Sequence, residues 1–199
     1  MTSPEALNAL PQGALGLLAG FLAVAVWQDC RTRRIPNRLI LLGILTGLAL
    51  NALLPLALGQ AVARPGVLGL MPALAGAGLG LAVFLPLYAL RTLGAGDVKL
   101  LAMVGAFVGP QAVLGVTVAT LVAGGVLALA FALRARILGP VLHNVAAIVQ
   151  NGLRAAAAGA LPTVAPLSQS LAKLPYSLAI AAGTVGYLTW QHCATPGRL

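Results

Sequence analysis

Acidic residues are almost missing from this chain: Glu5, Asp29 and Asp97 are the whole complement in 199 residues. Charged residues of both signs amount to only 8%, against about 25% in an ordinary soluble domain. That shortage excludes a fold that meets water on every side. Cysteine is scarce as well. Cys30 and Cys193 stand in no CxxC pair and no ligand cluster, which excludes a disulfide framework and a thiolate metal site. The two histidines, His143 and His192, are far apart and suggest no metal site either. No metal and no cofactor is expected.

What is present is apolar length. Hydrophobic residues make up 60% of the chain, and runs of about 20 residues, enough to cross a hydrocarbon layer about 30 Å thick, recur along it. The expected fold is all-α: one polytopic membrane domain with about six transmembrane helices. The segments are about Ala9–Trp27, Leu39–Leu58, Val67–Leu90, a short fourth at Val98–Val108, then Ala112–Leu133 and Leu174–Trp190. Gly109-Pro110-Gln111 supplies the turn after the fourth. That fourth run has eleven residues, only about 16 Å of helix. It either shelters among its neighbours or starts below the membrane surface, where irregular backbone survives only beside protein or a water-filled cavity. Val141–Ala160 carries His143, Asn144, Gln150, Asn151 and Arg154 and is read as a helix lying on the cytoplasmic surface; if it spans instead, the C-terminus moves inside.

The formal charge of +9 does not point to nucleic acid, because the basic residues sit in loops between apolar runs. There they orient the chain and touch anionic lipid. Under six spans, Arg31, Arg33, Arg34, Arg38, Arg91, Lys99, Arg134, Arg136, Arg154 and Lys173 share one side, and only Arg64 and Arg198 take the other. The crowded side is cytoplasmic by the positive-inside rule. Both termini are then outside, and Cys30 and Cys193 lie on opposite faces. The start of the chain has no Lys or Arg before the first run, so the first span is expected to be kept rather than cleaved.

Two motifs carry candidate chemistry. The first is Asp29-Cys30-Arg31-Thr32-Arg33-Arg34-Ile35-Pro36-Asn37, and the second is Gly94-Ala95-Gly96-Asp97-Val98-Lys99. Taken singly, Asp29 is a solvated charge in a basic loop and Asp97 an N-cap of the fourth helix. Topology changes this. The first and third spans both run inward, so the two aspartates reach the same membrane face, and an acid at membrane depth is a functional candidate. Two close carboxylates share one proton. The ionised one can take a proton from water while the protonated one donates to a scissile carbonyl. Gly94 and Gly96 would free the backbone and admit an extended peptide, or simply form a turn. Lys99 either orients Asp97 or snorkels to the interface.

These two motifs, with Leu174-Pro175-Tyr176-Ser177-Leu178-Ala179-Ile180-Ala181-Ala182-Gly183, resemble the type IV prepilin peptidases, members of the GxGD membrane aspartyl proteases. The resemblance covers about Phe21–Ala106 and the later stretch. It implies an endopeptidase of the bacterial inner membrane, with its active site facing the cytoplasm. The implied substrate is the basic leader of prepilins or pseudopilins. Asp29 and Asp97 would be its catalytic acids, with Gly94, Gly96 and Lys99 in support. Larger members carry an N-terminal domain, often with two CxxC pairs, and also methylate the new N-terminus. Nothing similar stands here, so the expectation is a peptidase without methyltransferase activity, like the short enzymes of tight-adherence (Flp) pilus systems. Two other classes compete: a small proton- or cation-coupled transporter, and a non-catalytic assembly subunit. The acids fall at one face rather than the midplane, which disfavours the transporter.

Overall fold

A computed structural model describes residues 4–58, 65–90, 92–136 and 175–194, together with 139, 146, 150 and 154. Among the described residues there are five helices and no strand: α1 (Pro4–Thr32), α2 (Asn37–Leu58), α3 (Leu70–Ala89), α4 (Ala95–Arg134) and α5 (Tyr176–Ala194). Four of them, α1 to α4, are long and apolar enough to cross a membrane. Their outward faces carry bare leucines and valines, among them Leu41, Leu42, Leu53, Leu56, Val122 and Val126. Such faces are stable against lipid and unstable against water. The surface helix expected at Val141–Ala160 lies outside the described residues except for Ala146, Gln150 and Arg154.

The chain divides into two compact units. One comprises residues 1–123 and 175–199, the other residues 124–174. Of the second, the described part is mainly the final turns of α4, closed by Arg136 with a positive φ of 56° and by Ala135 N–H on the Phe131 carbonyl at 2.8 Å. Everything below concerns the first unit.

Its centre is the beginning of α4. Every residue from Leu100 to Gly109 is buried, so this stretch is surrounded rather than packed on one face. Small residues make that possible. Gly43 and Gly47 on α2 face Met103 and Phe107. Gly76 on α3 meets Gly105 backbone to backbone, and a Cβ on either would run into the other's carbonyl oxygen. Close small-residue crossings of this kind are how helices associate when lipid offers no hydrophobic drive. Around this core, α1 packs against α2 and α5, and α2 against α3.

The expected turn after the fourth segment appears as a break at Gly109 (φ 80°, ψ 178°) followed by Pro110. It separates a shorter arm, residues 95–108, from a longer one. Pro110 has no N–H to give the Ala106 carbonyl four residues back. Asn51 of α2 supplies the donor instead: its Nδ2 reaches Ala106 O at 2.9 Å and Phe107 O at 3.4 Å, while its Oδ1 accepts Leu68 N–H at 2.9 Å. Asn51 is fully buried. Broken backbone inside an apolar bundle is thereby satisfied by protein rather than water.

One boundary differs from expectation in a way that matters. The first helix was expected to end at Trp27, leaving Asp29 in a loop; it runs on to Thr32. Arg31 stacks on Trp27 at 4.8 Å, one turn away, and Thr32 Oγ1 donates back to Gln28 O at 2.9 Å. Both contacts extend the helix. It stops at Arg33, whose positive φ of 54° lets its N–H reach Asp29 O at 2.9 Å, an αL termination. Asp29 therefore stands on a helix, not in a loop.

Candidate active site

Asp97 is fixed by the start of α4. The carbonyl of Gly94 accepts Asp97 N–H at 3.1 Å and Val98 N–H at 3.4 Å, so Gly94 is the N-cap. Asp97 is the third helical residue, and its Oδ2 accepts Gly94 N–H at 3.1 Å. This is the reach-back half of a capping box. The expectation of Asp97 as N-cap is corrected by three positions. Neither Gly94 nor Gly96 has a positive φ; among the described residues, the glycines that do are Gly66, Gly69 and Gly109. The GxG segment is thus not kept glycine by backbone angle. Gly94 is exposed, and a Cβ there would press on Asp97 Oδ2 at 3.2 Å; at Gly96 it would make an ordinary contact with Ile35.

Asp29 lies in the last turn of α1 and is buried, 9% exposed. A carboxylate at a helix C-terminus faces the wrong end of its own dipole. The compensation comes from α5. Ser177, the second residue of that helix and fully buried, donates its hydroxyl to Asp29 Oδ2 at 2.6 Å. Asp29 thereby stands at the N-terminal, positive end of α5, and Asp97 at that of α4.

Asp29 and Asp97 lie within electrostatic reach of one another, and Asp97 within reach of the Tyr176 phenol. Tyr176 is itself set by an edge-on contact with Phe84 of α3, ring centroids 6.0 Å apart. Lys99 is engaged elsewhere. Its Nζ donates to Asn37 Oδ1 at 3.1 Å, tying the start of α2 to α4. Of the five residues expected at the site, Asp29, Asp97 and the two glycines are brought to the same end of the bundle, while Lys99 serves the α2–α4 joint beside it. Ser177 was not among them. The signal available was its place two residues after Pro175 at the mouth of the last apolar run. Among the described residues, no group of three His, Cys, Asp or Glu side chains is placed to hold a metal.

A helical membrane protein with two neighbouring aspartates, each at a helix N-terminus, is the class defined so far. The chain belongs to the type IV leader peptidase family, whose model matches residues 16–129, more than half of the chain. The match includes both aspartates. Membership makes the protein a peptidase, a hydrolase that acts on a prepilin-type substrate. No curated protein and no solved structure matches the chain.

Proposed function

We propose that this protein is an aspartyl endopeptidase of the bacterial inner membrane that removes the basic leader of a prepilin or pseudopilin at the cytoplasmic face. The observation that carries this reading is the pairing itself. Two of only three acidic residues in the chain come from α1 and α4, far apart in sequence, and stand close enough for their charges to interact. Each is held by one donor, Ser177 or Gly94.

The chemistry follows from the pair. Two adjacent carboxyl groups hold one proton between them, because two like charges side by side are costly. The ionised member takes a proton from a water. That water's oxygen attacks the scissile carbonyl carbon, and the protonated member donates to the carbonyl oxygen as charge develops there. Collapse of the tetrahedral intermediate returns a proton to the leaving amine. The exposed Gly94–Gly96 edge supports an extended substrate strand beside Asp97. The ten basic residues on one side in a six-span topology support the cytoplasmic orientation, and the break at Gly109 supports counting the two arms of α4 as separate passes.

The test is co-expression with a short protein bearing a basic leader, a glycine and an apolar helix, followed by size on a gel. Asp29→Asn and Asp97→Asn should each slow processing by about a hundredfold or more, the scale of lost acid–base catalysis. Processing at the parent rate in both variants overturns the reading. A gain of ion flux in proteoliposomes that Asp97→Asn abolishes would replace it with the transporter.

A further inference from the structure

The hydrogen bond between Ser177 and Asp29 joins residues 148 positions apart and is 2.6 Å long. Both partners are buried, Ser177 completely. Its length lies at the short end of the range for O–H···O hydrogen bonds, about 2.5–3.0 Å. Among the described residues, none donates to the other oxygen of Asp29. One oxygen is therefore anchored, and the other is left for water or substrate.

Among the described residues, Ser177 makes the one hydrogen bond to this side chain. Asp29 stands near the end of α1, where its backbone carbonyl already receives Arg33 N–H, and its neighbour Arg31 turns away to stack on Trp27. Facing it are Asp97 on α4, within electrostatic reach, and α5, which brings Ser177. A carboxylate free to rotate would leave the place where the two must share a water. The serine opposes that motion. Its own backbone lies in the first turn of α5, set by Leu178 N–H on Pro175 O at 3.2 Å. The neighbouring Tyr176 is pinned against Phe84. The α5 entry is thus a built mount rather than a loose loop end.

We infer that Ser177 is a positioning residue for the proposed proteolysis, holding the Asp29 carboxylate in the orientation in which it meets Asp97. The inference rests on the reading of the pair as catalytic. It gives α5, outside the stretch that matches the family model, a direct part in the site. The hydroxyl does not touch the substrate; it acts through Asp29. Misplacing a reacting group by about 1 Å can cost on the order of a hundredfold in rate, so a small loss of order here has a large effect on turnover.

The experiment uses the full-length protein in detergent with a synthetic leader peptide extended by its apolar segment, and reads kcat and KM separately. Ser177→Ala removes one oxygen and leaves a slightly smaller side chain, so folding should survive; thermal unfolding in the same detergent checks this. The expected result is a fall in kcat of about ten- to a hundredfold, the range for a lost hydrogen bond to an ionised group, with KM unchanged. Ser177→Thr, which keeps the hydroxyl, should restore most of kcat. Ser177→Cys, similar in size with a weak donor, should fall between Thr and Ala. Parent kcat in Ser177→Ala overturns the inference, and so does a loss that neither Thr nor Cys relieves. Asp29→Asn, run in parallel, separates the two levels of failure. If it is inactive while Ser177→Ala is normal, only the positioning role falls. If Asp29→Asn is itself normal, the catalytic pair falls.

Discussion

Replacing Asp97 by asparagine removes an acid without removing a helix cap. The carboxylate oxygen that accepts Gly94 N–H has a counterpart in the amide oxygen of asparagine, so the start of α4 should hold. Alanine offers no acceptor and should lose both functions. Asp97→Asn is therefore expected to unfold within about 0.5 kcal/mol of the parent, and Asp97→Ala to lose about 1 kcal/mol more, the usual worth of a terminal cap; denaturation in detergent distinguishes them. Processing should fail in both. This separation makes the asparagine variant the cleaner test of the pair. At this scale the two aspartates stood out in the sequence because acids are so rare in it, and because the six-span reading carries them to one face. Ser177 was not legible. A serine opening a helix has several ordinary uses, and its meeting with a residue 148 positions away is a fact of packing, not of pattern. Lys99 marks the other limit. Its spacing after Asp97 left two readings, service to the acid or an interfacial lysine; its side chain reaches across to Asn37.

The arm of α4 that carries Asp97 is positioned by its contacts with other helices. Two of these contacts admit almost no substitution. At the crossing of α3 and α4, Gly76 and Gly105 meet through their backbones, so a methyl group on either must push whole helices apart. Overpacking of that kind costs about 1–3 kcal/mol, and here it also shifts the arm that bears the acid. Gly105→Ala should lower stability by that amount and slow processing while leaving Asp97 in place, a combination read by thermal unfolding beside the gel assay. The second contact is Asn51. Leucine at this position fills similar space but leaves the Ala106 carbonyl and Leu68 N–H unpaired, at about 1–3 kcal/mol for each buried group. Asn51→Leu should thus be among the most destabilising single changes in α2, even though leucine suits an apolar helix better. The helices themselves were readable from apolar length, and the break at Gly109 from Gly-Pro chemistry. Asn51 was not readable as its complement. A lone amide in an apolar run shows only that something must bond it, and the unmet carbonyl lies on another helix. The end of α1 was misplaced for a similar reason: the Trp27–Arg31 stack and the αL turn at Arg33 lengthen a helix past the point where its sequence turns polar.

For the molecule as a whole, the decisive question is which way it faces. If the proposed site is cytoplasmic, the end of the bundle that carries Asp29 must face the cytoplasm. Cys30 is the next residue, exposed and free. Cys193 lies in the last turns of α5, also exposed and free, and α5 begins at Tyr176, with Ser177 beside Asp29. A helix of 19 residues rises about 28 Å, close to the thickness of the hydrocarbon core. Starting at the level of Asp29, it should therefore deliver Cys193 to the opposite face. The protein's only two thiols thus report on the two ends of the bundle without any engineering. In intact spheroplasts, a membrane-impermeant maleimide should modify Cys193 and spare Cys30; after the membrane is opened, both should react. Cys30→Ala and Cys193→Ala assign the label to each. Labelling of Cys30 alone from outside would invert the orientation and remove the site from the compartment where a leader is presented. Labelling of both from outside would place the two ends of α5 on one face and overturn the six-span reading. The expected pattern unites three independent features: the ten-to-two division of basic residues, the length of α5, and the meeting of Ser177 with Asp29 at one end of it.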